Sequence, residues 1–430
     1  MRTRAGWIAL VLTGGLALAP ALSWAQSPFG AGMNAGGLDV GRENPIVPLP
    51  ISNARPELGG FYSALQFSML RQSRNLGNQV NGQIVAVRGF VDVDGSVQRD
   101  LGGAFVIPPG GGAPVFVPGP PGPAGAFIGS GAPALRVSDL NQKFTYAPGY
   151  EVALGYRFQD GTALEWRWKH IATARYSVGA DVIPPGFAVG PILADTFLFS
   201  PVFNFPNNFA GQNQELGLGN PGATYGIWNA ASQMRISFEQ RFDQSDWGGR
   251  VPLRADDISR TNFLAGGRFS WIWERFTWRA VSQDALGNSG PTDVATYTNI
   301  VSNRMYGPYL GMEHELFLGW GIALGLRADV AALLDIVKER ARYELGDKSA
   351  ATKQSLTEYT FAPMYNGELN ITWYPIQGLQ FRLGWQTIVV MNTVDAPAPI
   401  SFNFGNLDGV WQRKAIRYLD SLNVGVALNW

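Results

Sequence analysis

The residues able to do chemistry are few, and their spacing is poor for it. The 430-residue chain has no Cys and two His, His170 and His314. Disulfide frameworks, cysteine nucleophiles and zinc ribbons therefore have nothing to be built from. Gly217-Leu-Gly-Asn-Pro-Gly222 matches the letters of the dinucleotide fingerprint, but that motif needs a strand before it and a helix opening at its last Gly. Here polar residues from Asn207 to Glu215 precede it and Pro221 interrupts it, so the segment reads as a turn. Asp92-Val-Asp-Gly95 begins like a calcium loop, yet the twelfth position is Gly103 where a bidentate Glu is required. No Gly-x-Ser-x-Gly elbow exists, and the two His lie far apart and read as interfacial or packed residues. His314 falls on the apolar parity of its segment, which leaves a lipid-facing Ser/His hydrolase as the residual enzymatic reading. The expectation is a chain that is not an enzyme, with no catalytic, cofactor or metal site.

Composition points the same way. Gly 53 and Pro 28 together make about 19% of the chain, and charged residues reach only 15% against a typical share of about 25%. Arg2 and Arg4 precede an apolar run from Trp7 to Ala19, Pro20 breaks it, and Ser23-Trp24-Ala25 offers small residues for cleavage. This predicts a signal peptide over residues 1–25, with the mature chain starting at Gln26. The run is shorter than the roughly 20 residues a spanning helix needs. The remaining chain carries 31 basic against 33 acidic side chains, too little positive charge for a phosphate-tracking surface, so no nucleic-acid partner is expected.

The elements that must position any site are strands. No later segment could span a bilayer as a helix, since the best run, Leu316 to Leu326, is short, Gly-rich and closed by Arg327. Period-2 alternation recurs instead, as in a barrel with one face to lipid and one to a polar interior. Tyr150, Val152, Leu154, Tyr156 and Phe158 oppose Glu151, Ala153, Gly155 and Arg157, and after Gln159 to Thr162 Leu164, Trp166 and Trp168 oppose Glu165, Arg167 and Lys169. Similar patterns occur at 228–239, where Met234, Ile236 and Phe238 oppose Arg235 and Glu239, and at 263–274 and 310–318. Further strands read at 59–71, 321–336, 358–374, 379–390 and 417–430, giving ten. Twelve result if Ile84 to Val93 joins the wall.

Tight links at Gln159 to Thr162, Gly319 to Trp320 and Pro375 to Gly378 alternate with long ones at 72–148, 179–222, 282–302, 338–356 and 392–412. Short turns on one side and long external loops on the other are the habit of an outer-membrane barrel. Arg241 to Ser259 breaks the rule as an expected nineteen-residue turn. In the first long loop residues 101–135 carry no charge, and Gly and Pro supply 18 of the 33 residues from Leu101 to Pro133. That composition reads as an extended, polyproline-like loop, alternatively as a lid or contact surface through Val115-Phe116-Val117 and Phe127-Ile128. The chain closes with Leu422, Val424, Val426, Leu428 and Trp430 at alternate positions, the amphipathic terminal strand expected of a C-terminal assembly signal.

Three segments, Glu151-Val-Ala-Leu-Gly-Tyr-Arg-Phe158, Leu264-Ala-Gly-Gly-Arg-Phe269, and Tyr306-Gly-Pro-Tyr-Leu-Gly-Met-Glu313 running through Gly319-Trp-Gly321, carry a resemblance. They resemble the pore-forming outer-membrane β-barrels typified by the Legionella major outer membrane protein. The resemblance implies an outer-membrane barrel and a passive pore, and supplies no catalytic residues.

The expectation is therefore an all-β, transmembrane, antiparallel up-and-down barrel of ten to twelve strands over residues 59–430, preceded by a periplasmic segment at 26–58. Its place would be the outer membrane of a Gram-negative-type envelope, and its role a narrow, weakly selective porin. The alternative is a plugged structural or binding barrel acting through its external loops, because about eight strands leave an interior just filled by side chains. On parity the lumen would be lined by Glu151, Arg157, Glu165, Arg167, Lys169, Arg235, Glu239, Arg268, Glu313, Glu315, Arg327, Asp329, Glu368 and Arg382. Expected partners are outer-membrane lipid, the barrel-assembly machinery, small solutes or ions, and further copies of the chain as a homo-oligomer.

Overall fold

The computed structural model describes residues 60–73, 76, 79–86, 132–181, 196–200, 226–229, 231–256, 258–283, 288–349, 351–376, 379–396 and 414–429, with short strand pieces between 90 and 118. The expected signal peptide, the 26–58 segment, Trp430 and most of the Gly/Pro-rich loop lie outside the described residues. The wall consists of ten strands, numbered here in chain order: β1 Gly60–Ser73, β2 Ala147–Arg157, β3 Ala163–Asp181, β4 Gln233–Ala255, β5 Ser259–Val281, β6 Val294–Gly319, β7 Ile322–Leu345, β8 Ala351–Ile376, β9 Leu379–Val394 and β10 Lys414–Asn429. Each pairs antiparallel with its sequence neighbours, and β1 closes the ring on β10 through twelve residue pairs from Tyr62↔Asn429 to Ser73↔Tyr418. Closure removes the unpaired edge that an open sheet would expose.

Local chemistry fixes the tight ends. Trp320 and Gly321 make a two-residue link between β6 and β7 with positive φ at both, as a type I′ hairpin requires, and Gly supplies the second at no steric cost. Between β2 and β3 Asp160 accepts from Thr162 N at 2.9 Å, and Gly161 takes φ 84°. The expected nineteen-residue turn at 241–259 is corrected: β4 continues through it, and Asp256 N bonds Ser259 O at 2.8 Å to turn in three residues. Asp243-Gln-Ser-Asp is polar on both faces, which hid the strand's alternation. The expected loop 338–356 is likewise strand on both sides of a short turn, because β7 runs to Leu345 and β8 starts at Ala351. Ile84 stays out of the wall: Val80–Ala86 pairs with Ala132–Arg136 and Thr196–Phe199 in a separate three-stranded sheet.

Strands of 23 to 26 residues, β4 to β8, are about 75–85 Å long at ~3.3 Å per residue. At a tilt of about 40° each rises some 60 Å, twice the roughly 30 Å of a hydrocarbon layer. Their outer faces divide accordingly. On β7 Ile322, Leu324, Leu326, Val330 and Leu334 point outward and exposed, whereas the same parity continues as Lys338, Arg340 and Arg342. The inward parity inverts at the same level, from Arg327 and Asp329 to Val337, Ala341, Tyr343 and Leu345.

The inversion corrects two expected lumen residues. Arg235 and Glu239 face outward, while Met234, Ile236 and Phe238 are buried inside. Against β5, β4 keeps one register from Gln233↔Val281 to Pro252↔Asn262, so along β4 a change of surroundings reverses which parity is apolar; against β3 the ladder carries a bulge between Gln240 and Phe242. In the upper interior those apolar residues join Phe276, Trp278, Tyr297 and Val337 in one core, filled by inserted segments that contribute Leu76, Leu135, Leu140, Leu198, Ile227 and Trp228. Trp228 packs on Trp278 with ring centroids 4.2 Å apart.

Candidate functional site

Twelve of the fourteen expected lumen side chains point into the lower barrel: Glu151, Arg157, Glu165, Arg167, Lys169, Arg268, Glu313, Glu315, Arg327, Asp329, Glu368 and Arg382. Sequence parity missed Tyr62, Asp246, Arg250, Arg260 and Tyr374, which share that interior. Asp246 and Arg250 were lost with the supposed turn. Continuing the parity of Met234-Ile236-Phe238 eight and twelve positions past Phe238 could have found them.

These side chains build the interior in layers, each two residues further along the strands. At the tight-turn end is a vestibule of about 120 Å³. Above it a hydrogen-bonded chain crosses the lumen. Lys169 on β3 pairs with Glu151 on β2 at 3.1 Å and donates to Gln386 on β9. Gln386 Nε2 donates to Asn366 on β8 at 2.8 Å, and Asn366 Nδ2 to Asp329 on β7 at 2.8 Å. Arg268 on β5 donates to Asp329 at 2.6 Å and, in a fork of two 2.8 Å bonds, to Asp246 on β4. Seven of the ten strands are tied together in this plane. The space left among these side chains is about 10 Å³, at the lower limit for a single water.

Over that plane lies an apolar layer of Leu70, Phe242, Ile272, Met305, Leu333, Met364, Ile388 and Leu419. A second polar layer follows, in which Arg417 on β10 and Glu274 on β5 pair with no solvent exposure at either side chain. The two strands are five apart in a ring of ten, hence opposite each other. The pair spans the barrel. Arg417 also donates to Thr393 Oγ1 and Val394 O, both at 2.7 Å. Asn303 on β6 holds Val394 by two bonds of 2.9 and 3.0 Å, and Ala396 N donates to Glu274 Oε2 at 3.0 Å. The chain leaving β9 is thereby stapled across the interior.

The two His sit on the outer surface. His170 Nδ1 lies 2.6 Å from Asp243 Oδ1 beside the rings of Tyr150 and Trp168, and Arg241 binds the other oxygen of Asp243 at 2.8 Å while lying over Trp271. His314 Nδ1 is 2.9 Å from Thr261 Oγ1. Of the C-terminal signal residues, Leu422, Val424 and Leu428 are exposed on the outer face and Val426 shares their parity.

No family description and no curated protein matches the chain. Among solved structures, the outer membrane protease OmpT from Escherichia coli is similar at 10% identity and TM-score 0.40, covering 87% of this chain and 97% of that one. A Pseudomonas aeruginosa FadL homologue is similar at 8% and 0.23, covering 90% and 94%, and the CymD monoaromatic hydrocarbon channel at 9% and 0.24, covering 89% and 93%. The barrel assignment rests on the closed ladder itself.

Proposed function

We propose that the chain is an outer-membrane barrel with a closed lumen, serving as a structural or binding element through the tall part of its wall beyond the bilayer. Every wall strand carries a large exposed apolar side chain outward, among them Leu65, Leu154, Leu164, Trp247, Phe263, Leu310, Leu326, Leu369, Leu383 and Leu422. Monomeric soluble proteins rarely expose contiguous apolar patches above a few hundred Å², whereas a lipid-facing band is required to be apolar. From Ile322 to Leu334 the band on β7 rises about 30 Å at a ~40° tilt, which matches a hydrocarbon layer.

The observation that carries the closed reading is the polar chain from Glu151 to Asp246 with an apolar layer directly above it. A narrow passive pore, the reading implied by the resemblance, would need those bonds to part and the apolar layer to wet. Buried charges hold their place when paired and hydrogen-bonded, and this chain of groups is both. The test is swelling of proteoliposomes loaded with a sugar. The closed barrel gives no faster solute entry than empty liposomes, and entry that scales with protein content establishes the pore instead.

A further inference from the structure

The vestibule at the tight-turn end is chemically lopsided. It is lined by five guanidinium groups and three carboxylates, together with two phenols. The carboxylates are engaged. Glu165 takes Arg250 at 3.2 Å, Tyr62 Oη at 2.7 Å and Arg167. Glu313 takes Arg250 at 3.2 Å, and Glu315 takes Tyr374 Oη at 2.6 Å and Arg260 at 3.8 Å. Arg382 turns to Glu368 at 3.3 Å, in the layer above. Arg157 is left over: among the described residues no carboxylate pairs with it, and its Nε is buried without a hydrogen-bond acceptor.

Placement makes that surplus useful. Arg157 is the last residue of β2, opposite Gly60 and Ala163 in the ladder, at the rim of the barrel. The cavity of about 120 Å³ has room for several waters, or for one compact anion with part of its hydration. A planar guanidinium fork matches the paired oxygens of a carboxylate or phosphate. The plane of bonds above closes the cavity, so an ion entering from the tight-turn side meets a floor.

We propose that this vestibule is a binding site for a small oxyanion, a carboxylate or phosphate group, with Arg157 as its anchor. The excess of guanidinium over carboxylate supplies the attraction, and Tyr62 and Tyr374, by occupying Glu165 and Glu315, keep those acids from folding onto Arg157. This goes beyond the closed-lumen reading and does not depend on it, since a site at the rim can fill whether or not ions pass further.

Isothermal calorimetry on the purified full-length chain in detergent, at low ionic strength, tests it with inorganic phosphate in one arm, succinate in a second and chloride in a third. Saturable one-site binding of phosphate or succinate is expected, with chloride giving none, and the stronger of the two arms identifies the group. Arg157→Gln should weaken it at least tenfold and Arg157→Lys less, with heat-modifiable gel mobility confirming that each variant folds. Lys353→Gln, on the outer face of the wall extension, should leave it unchanged. Absence of saturable binding in the native chain overturns the proposal, as does equal binding by the native chain and a folded Arg157→Gln variant. Because heat and not current is read, a failure here leaves the closed lumen standing, and a conducting lumen leaves this site standing.

Discussion

The lower and upper halves of the same wall strands solve opposite problems. Below, Leu324 and Leu326 face out while Arg327 and Asp329 face in; above, Lys338 and Arg340 face out while Val337 and Ala341 face in. Pairing of β7 with β8 keeps one register throughout, from Ile322↔Trp373 to Glu344↔Ala351. Along β7 parity is thus a geometric constant, and the chemistry written on each parity reports the local solvent. In lipid the interior is the polar place; in water it is the dry one.

The largest effect should come from the pair that bridges the two halves. Replacing either Glu274 or Arg417 by Ala leaves the other charge buried without its opposite charge, which costs about 3–5 kcal/mol. Each single variant should lose heat-modifiable mobility, and Glu274→Met with Arg417→Met should recover much of it.

Charge placed on the outer face sharpens the contrast. Leu326→Asp puts a charge in the apolar band, at a cost of up to about 2–4 kcal/mol for the worst cases near the midplane. Lys338→Leu, on the same face twelve residues on, should change stability by about 0.5 kcal/mol or less. Comparable losses in urea unfolding for these two would break the division. The closing strand offers the same test at smaller scale: Val424→Asp should impair assembly more than Asn423→Asp, whose side chain points inward. Gly425 is no neutral control, although it faces inward, because a Cβ there would meet Gln66 Cβ at 3.0 Å.

A pH-dependent effect concerns Glu339, which lies beyond the apolar band, fully buried and with neither carboxyl oxygen hydrogen-bonded. Burial, helped by Glu358, pushes its carboxyl from the ordinary 4.5 up to about 8. The folded state therefore holds the proton more tightly than the unfolded one. Its contribution is fully favourable below the unfolded value and is lost as pH rises through the window up to about 8. Glu339→Gln should flatten the fall in thermal stability between those values, and an unchanged slope would assign the pH dependence elsewhere.

Alternation made the lower half legible, because Glu151, Glu165 and Arg167 stand opposite Leu154, Leu164 and Trp166 with no exceptions. It misplaced Arg235 and Glu239 because an apolar parity was taken as lipid-facing along the whole chain, and beyond the band that rule reverses. Continuity across Arg241 to Ser259 was invisible because Asp243, Gln244, Ser245 and Asp246 carry hydrogen bonds on both faces of β4. The plug could not be read at all: Arg417 and Glu274 are far apart in sequence and meet only because β5 and β10 stand opposite in a ring of ten.

The central claim is that the lower lumen is sealed by its polar chain and the apolar layer above it. Single-channel recording of the full-length protein in a planar bilayer tests this most directly. The sealed barrel should give no stepwise current at moderate voltage, while Asp246→Ala with Arg268→Ala, which cuts the chain at two members, should raise the frequency of brief openings. Stable, ohmic steps from the native protein would contradict it.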